Sequence, residues 1–123
     1  MVRVLIVEDE ALIRVELEDI VQDAGFGPLA VASGEAAVEI LDTEPGIKAV
    51  VTDINLGEGI DGWEIARHAR TRHPDIAVVY VTSISRDEWS AEGVPGSILV
   101  NKPFAPAQIV TALSQLLNQN SVH

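Results

Sequence analysis

Five short apolar runs rich in β-branched residues, each followed by a longer stretch, constrain this chain more than any other feature. Val2 to Val7 is the first run. It is far shorter than the about 20 residues of a membrane helix and suits a strand buried on both faces. From Glu10 to Ala24, the residues Ile13, Leu17, Ile20, Val21 and Ala24 fall on one helical face, and Gly25 supplies a stop. Pro28 to Ala32 reads as a second strand near a sheet edge, because proline cannot donate to a ladder. Ser33 is placed to cap a helix from Gly34 to Leu41, which Pro45-Gly46 breaks. Lys48 to Thr52 is a third strand leading into Asp53, and the glycine-rich stretch Asn55 to Gly62 reads as a loop. Trp63 to Arg72 is a third helix, and Ile76 to Val81 a fourth strand ending at Thr82. Ser85 to Glu92 is a short, weak helix, Gly93 to Gly96 a turn, and Ile98 to Val100 a brief fifth strand. After Pro103 and Pro106 the spacing of Ile109, Ala112, Leu113, Leu116 and Leu117 predicts a last helix, with a frayed polar tail from Asn118 to His123.

Regular alternation of this kind predicts an α/β fold, a doubly wound parallel sheet with helices on both faces and right-handed crossovers. The units share no repeated motif and no linker separates them, so 123 residues read as one domain without an attached output domain. Eight basic against 19 acidic residues give a net charge of −11. A surface this acidic repels phosphate backbones and anionic lipid, so neither nucleic acid nor membrane is an expected partner. The chain has no cysteine, which excludes disulfides, thiolate metal sites and cysteine nucleophiles. The first run lacks a small-residue cleavage site, and a cytoplasmic protein is expected.

The polar residues gather at the strand ends. Glu8 and Asp9 follow the first strand, Asp53 the third, Thr82 ends the fourth, and Lys102 follows the fifth. Ligands of open parallel α/β sheets bind outside those ends. Singly, each residue has an ordinary explanation as a helix cap, a turn or solvated surface. At four strand ends together they describe one site. Clustered carboxylates without a soft ligand suit the hard ion Mg²⁺. A carboxylate beside such an ion can act as a nucleophile. A lysine supplies point charge for phosphate oxygens, and a hydroxyl adds a hydrogen bond.

Those residues resemble the receiver domain of two-component response regulators over essentially the whole chain. The resemblance rests on Val4-Leu5-Ile6-Val7-Glu8-Asp9-Glu10, Val51-Thr52-Asp53-Ile54-Asn55-Leu56, Asp61-Gly62, Val81-Thr82-Ser83 and Asn101-Lys102-Pro103-Phe104. It implies a flavodoxin-like five-stranded sheet of order 2-1-3-4-5 with five helices. It implies that Asp53 is the phosphoacceptor, attacking the phosphohistidine of a sensor histidine kinase or a histidine phosphotransfer protein. Asp9, Asp53 and the carbonyl of Asn55 would hold Mg²⁺ directly, with Glu8 acting through metal-bound water. Lys102 would pair with Asp53 and then with the phosphoryl group, Thr82 would donate its hydroxyl, and Ser83 a backbone N–H. The readout would be a shift of the face built from the fourth helix, fifth strand and fifth helix, controlling a downstream protein or serving a phosphate shuttle or sink.

The sequence departs from that pattern at Leu99, where receivers usually carry Tyr or Phe three residues before the lysine, and in Gly93-Val94-Pro95-Gly96. A Lys-Pro-Phe ending without a switch aromatic is similar to single-domain receivers of alphaproteobacteria. Ile84 stands where side chains of this family shield the acyl phosphate, which implies slow hydrolysis. Trp63 and Phe104 read as core residues, Trp89 as a candidate partner contact. His68 and His73 read as exposed, and Arg67, Arg70 and Arg72 as a solvated helix face. Two alternatives remain. One is a phosphorylation-independent pseudo-receiver, kept open by Leu99. The other is a phosphatase of the haloacid dehalogenase class. That class needs a second Asp two residues after the nucleophile, where Asn55 stands.

Overall fold

The strands write their own burial. In a computed structural model that describes residues 1–83 and 86–121, the chain alternates strand and helix throughout. The elements are β1 (Arg3–Val7), α1 (Ala11–Asp23), β2 (Gly27–Val31), α2 (Gly34–Thr43) and β3 (Ile47–Thr52), then α3 (Gly62–Arg72), β4 (Ala77–Thr82), α4 (Arg86–Glu92), β5 (Ile98–Asn101) and α5 (Pro106–Ser121). All four strand pairings are parallel and the order is β2-β1-β3-β4-β5. β2, with its proline, lies at an edge as the sequence argued. Among the described residues no helix is long and apolar enough to cross a membrane.

Side chains alternate across the pleat and fill two separate cores. Leu5, Val7, Val50, Val78 and Tyr80 meet Ala37 and Leu41 of α2 and Ile65, Ala66 and Ala69 of α3 on one face. Val4, Ile6, Val51, Val79 and Val81 meet Leu17 and Val21 of α1 and Ile109 and Leu113 of α5 on the other. The central strands β1, β3 and β4 are covered on both faces, which is why their sequences read as unbroken apolar runs.

Element ends moved in ways local chemistry explains. Asp61 caps α3, its Oδ1 accepting from Glu64 N at 2.9 Å, so the helix starts at Gly62 and not at Trp63. α2 runs two residues past Leu41, to Thr43, before Pro45 can stop it. The tail expected to fray from Asn118 is helical through Ser121, because no glycine or proline intervenes and Leu116 still packs on the core. The expectations at Ile84, and at Ser85 as a helix start, fall outside the described residues.

The helix 3 surface also needs correction. Arg67 and Arg72 lie exposed as read, in surface ion pairs, but Arg70 is half-buried and not merely solvated. Arg70 donates to Ile76 O at 2.8 Å and to Pro95 O at 2.6 Å, and so ties α3 to the starts of β4 and β5. Arg67 pairs with Glu92 at 3.6 Å, and Arg72 with Asp42 at 2.8 Å. His68 and His73 are half-buried: His68 Nε2 lies 2.7 Å from Asp42 Oδ1, and His73 Nε2 2.9 Å from Leu41 O. The His68 hydrogen bond holds the Asp42 carboxyl below its ordinary value.

Ser33 Oγ accepts from Ala36 N at 3.2 Å at the start of α2. Replacing Ser33 by Ala should cost about 1 kcal/mol, read as a lowered urea midpoint with unchanged slope.

Candidate functional site

The order 2-1-3 puts the reversal of strand order between β1 and β3, and the crevice above those two strands is where such sheets bind ligands. Glu8, Asp53 and Lys102 each occupy the first position beyond a strand. Each extends the ladder by one bond: Glu8 N to Val31 O at 3.1 Å, Asp53 N to Val7 O at 3.0 Å, and Lys102 N to Thr82 O at 3.0 Å. Their backbones are therefore as well placed as the strands themselves.

The side chains converge. One ligating oxygen each from Glu8, Asp9 and Asp53 lies within 4.8 Å of the others. Lys102 Nζ donates to Glu8 Oε1 at 2.7 Å and to Asp53 Oδ2 at 2.8 Å. The other oxygen of Asp53, Oδ1, accepts from Ile54 N at 2.6 Å. Glu8 is fully buried, Asp53 nearly so, and Asp9 exposed. Thr82, at the end of β4, is buried, whereas Asn55 and Ser83 are exposed. Two neighbours brace the backbone behind the carboxylates. Arg14 of α1 donates to Glu8 O at 2.9 Å, and Thr52 Oγ1 to Asp53 O at 2.7 Å. Gly62 fits against the Asp53 backbone so closely that a Cβ there would overlap the Asp53 carbonyl oxygen.

Burial pushes the Glu8 carboxyl from an ordinary 4.5 up to about 7; the Lys102 hydrogen bond opposes this and the Asp53 charge adds to it. Burial alone would lower Lys102, but hydrogen bonds and charge from Asp53 and Glu8 outweigh it and raise the ammonium above its ordinary value. With all three carboxylates ionised, one ammonium leaves two negative charges uncompensated. All the donors are oxygens. The set therefore fits a hard divalent cation such as Mg²⁺, held by Glu8, Asp9 and Asp53.

The sequence profile described as response regulator receiver domain matches residues 4–114. The chain belongs to that family. A receiver is a module of two-component signalling and not a classical enzyme. The crystal structure of a response regulator receiver protein from Sinorhizobium medicae superposes with a TM-score of 0.93 at 44% identity, covering 97% of this chain and 96% of that one. The response regulator receiver protein CpdR of Brucella abortus is 28% identical over 95% of this chain and 98% of its own length. The sensor kinase CckA of the same organism is 32% identical over 94% of this chain, which spans only 12% of that protein. The phyllosphere-induced regulator PhyR of Methylorubrum extorquens is 30% identical, and the chain spans 43% of its length.

The structure thus brings Lys102 into hydrogen-bond contact with Glu8 and Asp53, and an Asp9 oxygen within 4.8 Å of theirs. It sets Thr82 on the same rim, tied to Lys102 through the backbone. Three features in and around the site were not visible in the sequence reading. Lys102 pairs with Glu8 as well as Asp53, and Arg14 braces Glu8. Tyr80, two residues before Thr82, is fully buried and paired in register with Leu99. A lone tyrosine inside an apolar strand was the available signal. Trp63 and Phe104 pack on the two cores as expected. Trp89, read as a candidate partner contact, is half-buried against the core, and its Nε1 donates to Ser97 Oγ at 3.0 Å.

A carboxyl that folding raises favours the folded state while it stays protonated, and that advantage disappears as pH climbs. In chelator, the protein should lose stability relative to its Glu8→Gln variant between about pH 4.5 and about pH 7, by an amount on the order of 3 kcal/mol. Melting curves of both proteins across that range test this. Added Mg²⁺ should restore the loss at neutral pH in the wild type alone.

Proposed function

We propose that the chain is a phosphoacceptor receiver. A carboxylate oxygen of Asp53 attacks the phosphorus of a phosphohistidine. The P–N bond breaks, the electron pair leaves with the imidazole, and an aspartyl phosphate forms. The observation that carries this reading is the shared ammonium: Lys102 Nζ sits 2.8 Å from Asp53 Oδ2 and 2.7 Å from Glu8 Oε1. A cation held there neutralises charge as it builds on transferring phosphoryl oxygens. Glu8, Asp9, Asp53 and the Asn55 carbonyl would hold Mg²⁺, which would supply further charge neutralisation. Thr82 donates its hydroxyl to the phosphoryl group, and Ser83 its backbone N–H.

The phosphodonor is a sensor histidine kinase or a histidine phosphotransfer protein. It must approach over the rim where α1 begins. There Leu12 is 88% and Val15 52% exposed, and with Ile20 and Val110 they line a cleft between α1 and α5. Large apolar side chains left open beside a reactive group mark a contact surface. The protein acts in the cytoplasm as a receiver, controlling a protein partner or moving phosphate onward. The acidic surface argues against nucleic acid or membrane as its target.

Incubation with acetyl phosphate and Mg²⁺ should add one phosphoryl mass to the intact protein. Asp53→Asn or excess chelator should abolish the adduct, and its absence from the wild type with several donors would overturn the reading. Lys102→Ala should slow adduct formation roughly hundredfold. Leu12→Asp should slow transfer from a phosphohistidine protein while leaving the acetyl phosphate rate unchanged. Equal slowing with both donors would remove α1 from the docking surface.

A further inference from the structure

The aromatic ring that β5 lacks at Leu99 is present one strand over. Tyr80 of β4 is the register partner of Leu99 and is fully buried. Its side chain points to the same face of the sheet as that of Thr82, two residues along the strand. The Tyr80 ring meets Trp63 edge-on, with centroids 4.8 Å apart. Its hydroxyl oxygen accepts from Val94 N at 3.2 Å. Val94 stands just beyond α4. Val94 O accepts from Ser97 Oγ at 2.7 Å, and Ser97 Oγ accepts from Trp89 Nε1 at 3.0 Å. Three hydrogen bonds thus run in one chain from the middle of the sheet to the indole of α4.

α4 needs that attachment. It has seven residues, too few to be stable through helix propensity. Among its described side chains Trp89 alone is not exposed, and it packs on the core. Gly93 makes room for it, since a Cβ there would stand 2.6 Å from the indole ring. The seating of α4 therefore depends on Trp89 and on the hydrogen-bonded clasp that closes its far end onto Tyr80.

Both walls of the Asp53 site bear on that tyrosine. Along β4, Thr82 shares its face. Along α3, Gly62 abuts the Asp53 backbone, and the next residue, Trp63, lies against the Tyr80 ring. We propose that Tyr80 relays the state of Asp53 to α4. In the form described here its bond to Val94 is closed. With Asp53 phosphorylated, this clasp opens and the Trp89 indole leaves Ser97. The relay rests on Asp53 being the phosphoacceptor, and it gives the protein a readout that needs no aromatic on β5. A shift of this kind requires a contact that differs between the two states, and the Tyr80–Val94 hydrogen bond is that contact.

The test uses the two indole N–H resonances in ¹H–¹⁵N spectra, assigned with Trp89→Phe, before and after Mg²⁺ and beryllium fluoride, a phosphoryl mimic. In the wild type the Trp89 resonance should move. In Tyr80→Phe it should start near the adduct position and move little, although the acetyl phosphate mass adduct still forms at Asp53. Ser97→Ala should likewise abolish the movement, and carries the test if Tyr80→Phe does not fold. A Trp89 resonance that stays still in the wild type while Asp53 takes the adduct overturns the relay alone. So does a variant that keeps both wild-type positions. A wild type that takes neither adduct overturns the phosphoacceptor reading and the relay with it.

Discussion

One ammonium group stands between two buried carboxylates, and much of the rim depends on it. Glu8 and Asp53 come from neighbouring strands and have almost no contact with water. Without Lys102 they would face each other as like charges in a low-dielectric crevice. Removing one partner from such a cluster leaves uncompensated buried charge, a cost of about 3–5 kcal/mol where it has been measured in proteins. The lysine is reached from the far side of the sheet: β5 is separated from β1 by β4 and β3. The ion pair is therefore a tertiary constraint that fastens the last strand to the ends of the first and the third.

The arrangement is stable only while something positive fills it, which links folding to ligand occupancy. Glu8 answers by favouring its protonated form, a local way of shedding one charge. A divalent ion would answer differently, by making all three carboxylates worth keeping ionised. Proton and metal would therefore compete for the same electrostatic deficit.

Much of this was legible in the sequence because buried parallel strands leave a plain record. Val4 to Val7, Ala49 to Thr52 and Ala77 to Thr82 are covered on both faces, so their composition alone announces them. The acids and the lysine were legible because each falls just where such a run stops. Edge positions were less visible. The Asp61 cap lay inside a glycine-rich stretch that reads as loop up to Gly62. The second partner of Lys102 depends on how the sheet lays one strand end over another, which no local pattern encodes. Tyr80 looks like any core residue until register sets it opposite Leu99. The arginines of α3 look solvated until the turn before β5 comes within reach of Arg70.

The segment after Asp53 separates two demands that usually conflict. Its exit is clamped, since Gly62 must lie flush against the Asp53 backbone and Asp61 must start the helix. Leu56 is buried, and the Ile60 N–H is held by Glu35 at 3.2 Å. Between them Gly57, Glu58 and Gly59 lie exposed, both glycines at positive φ. A Cβ at Gly59 would run into the Glu35 carboxylate that holds Ile60, so of the three it is Glu58 that can carry a tag while the clamped residues on either side keep the Asp53 carboxylate in register. The fold carries an attachment point within a few residues of its acid cluster.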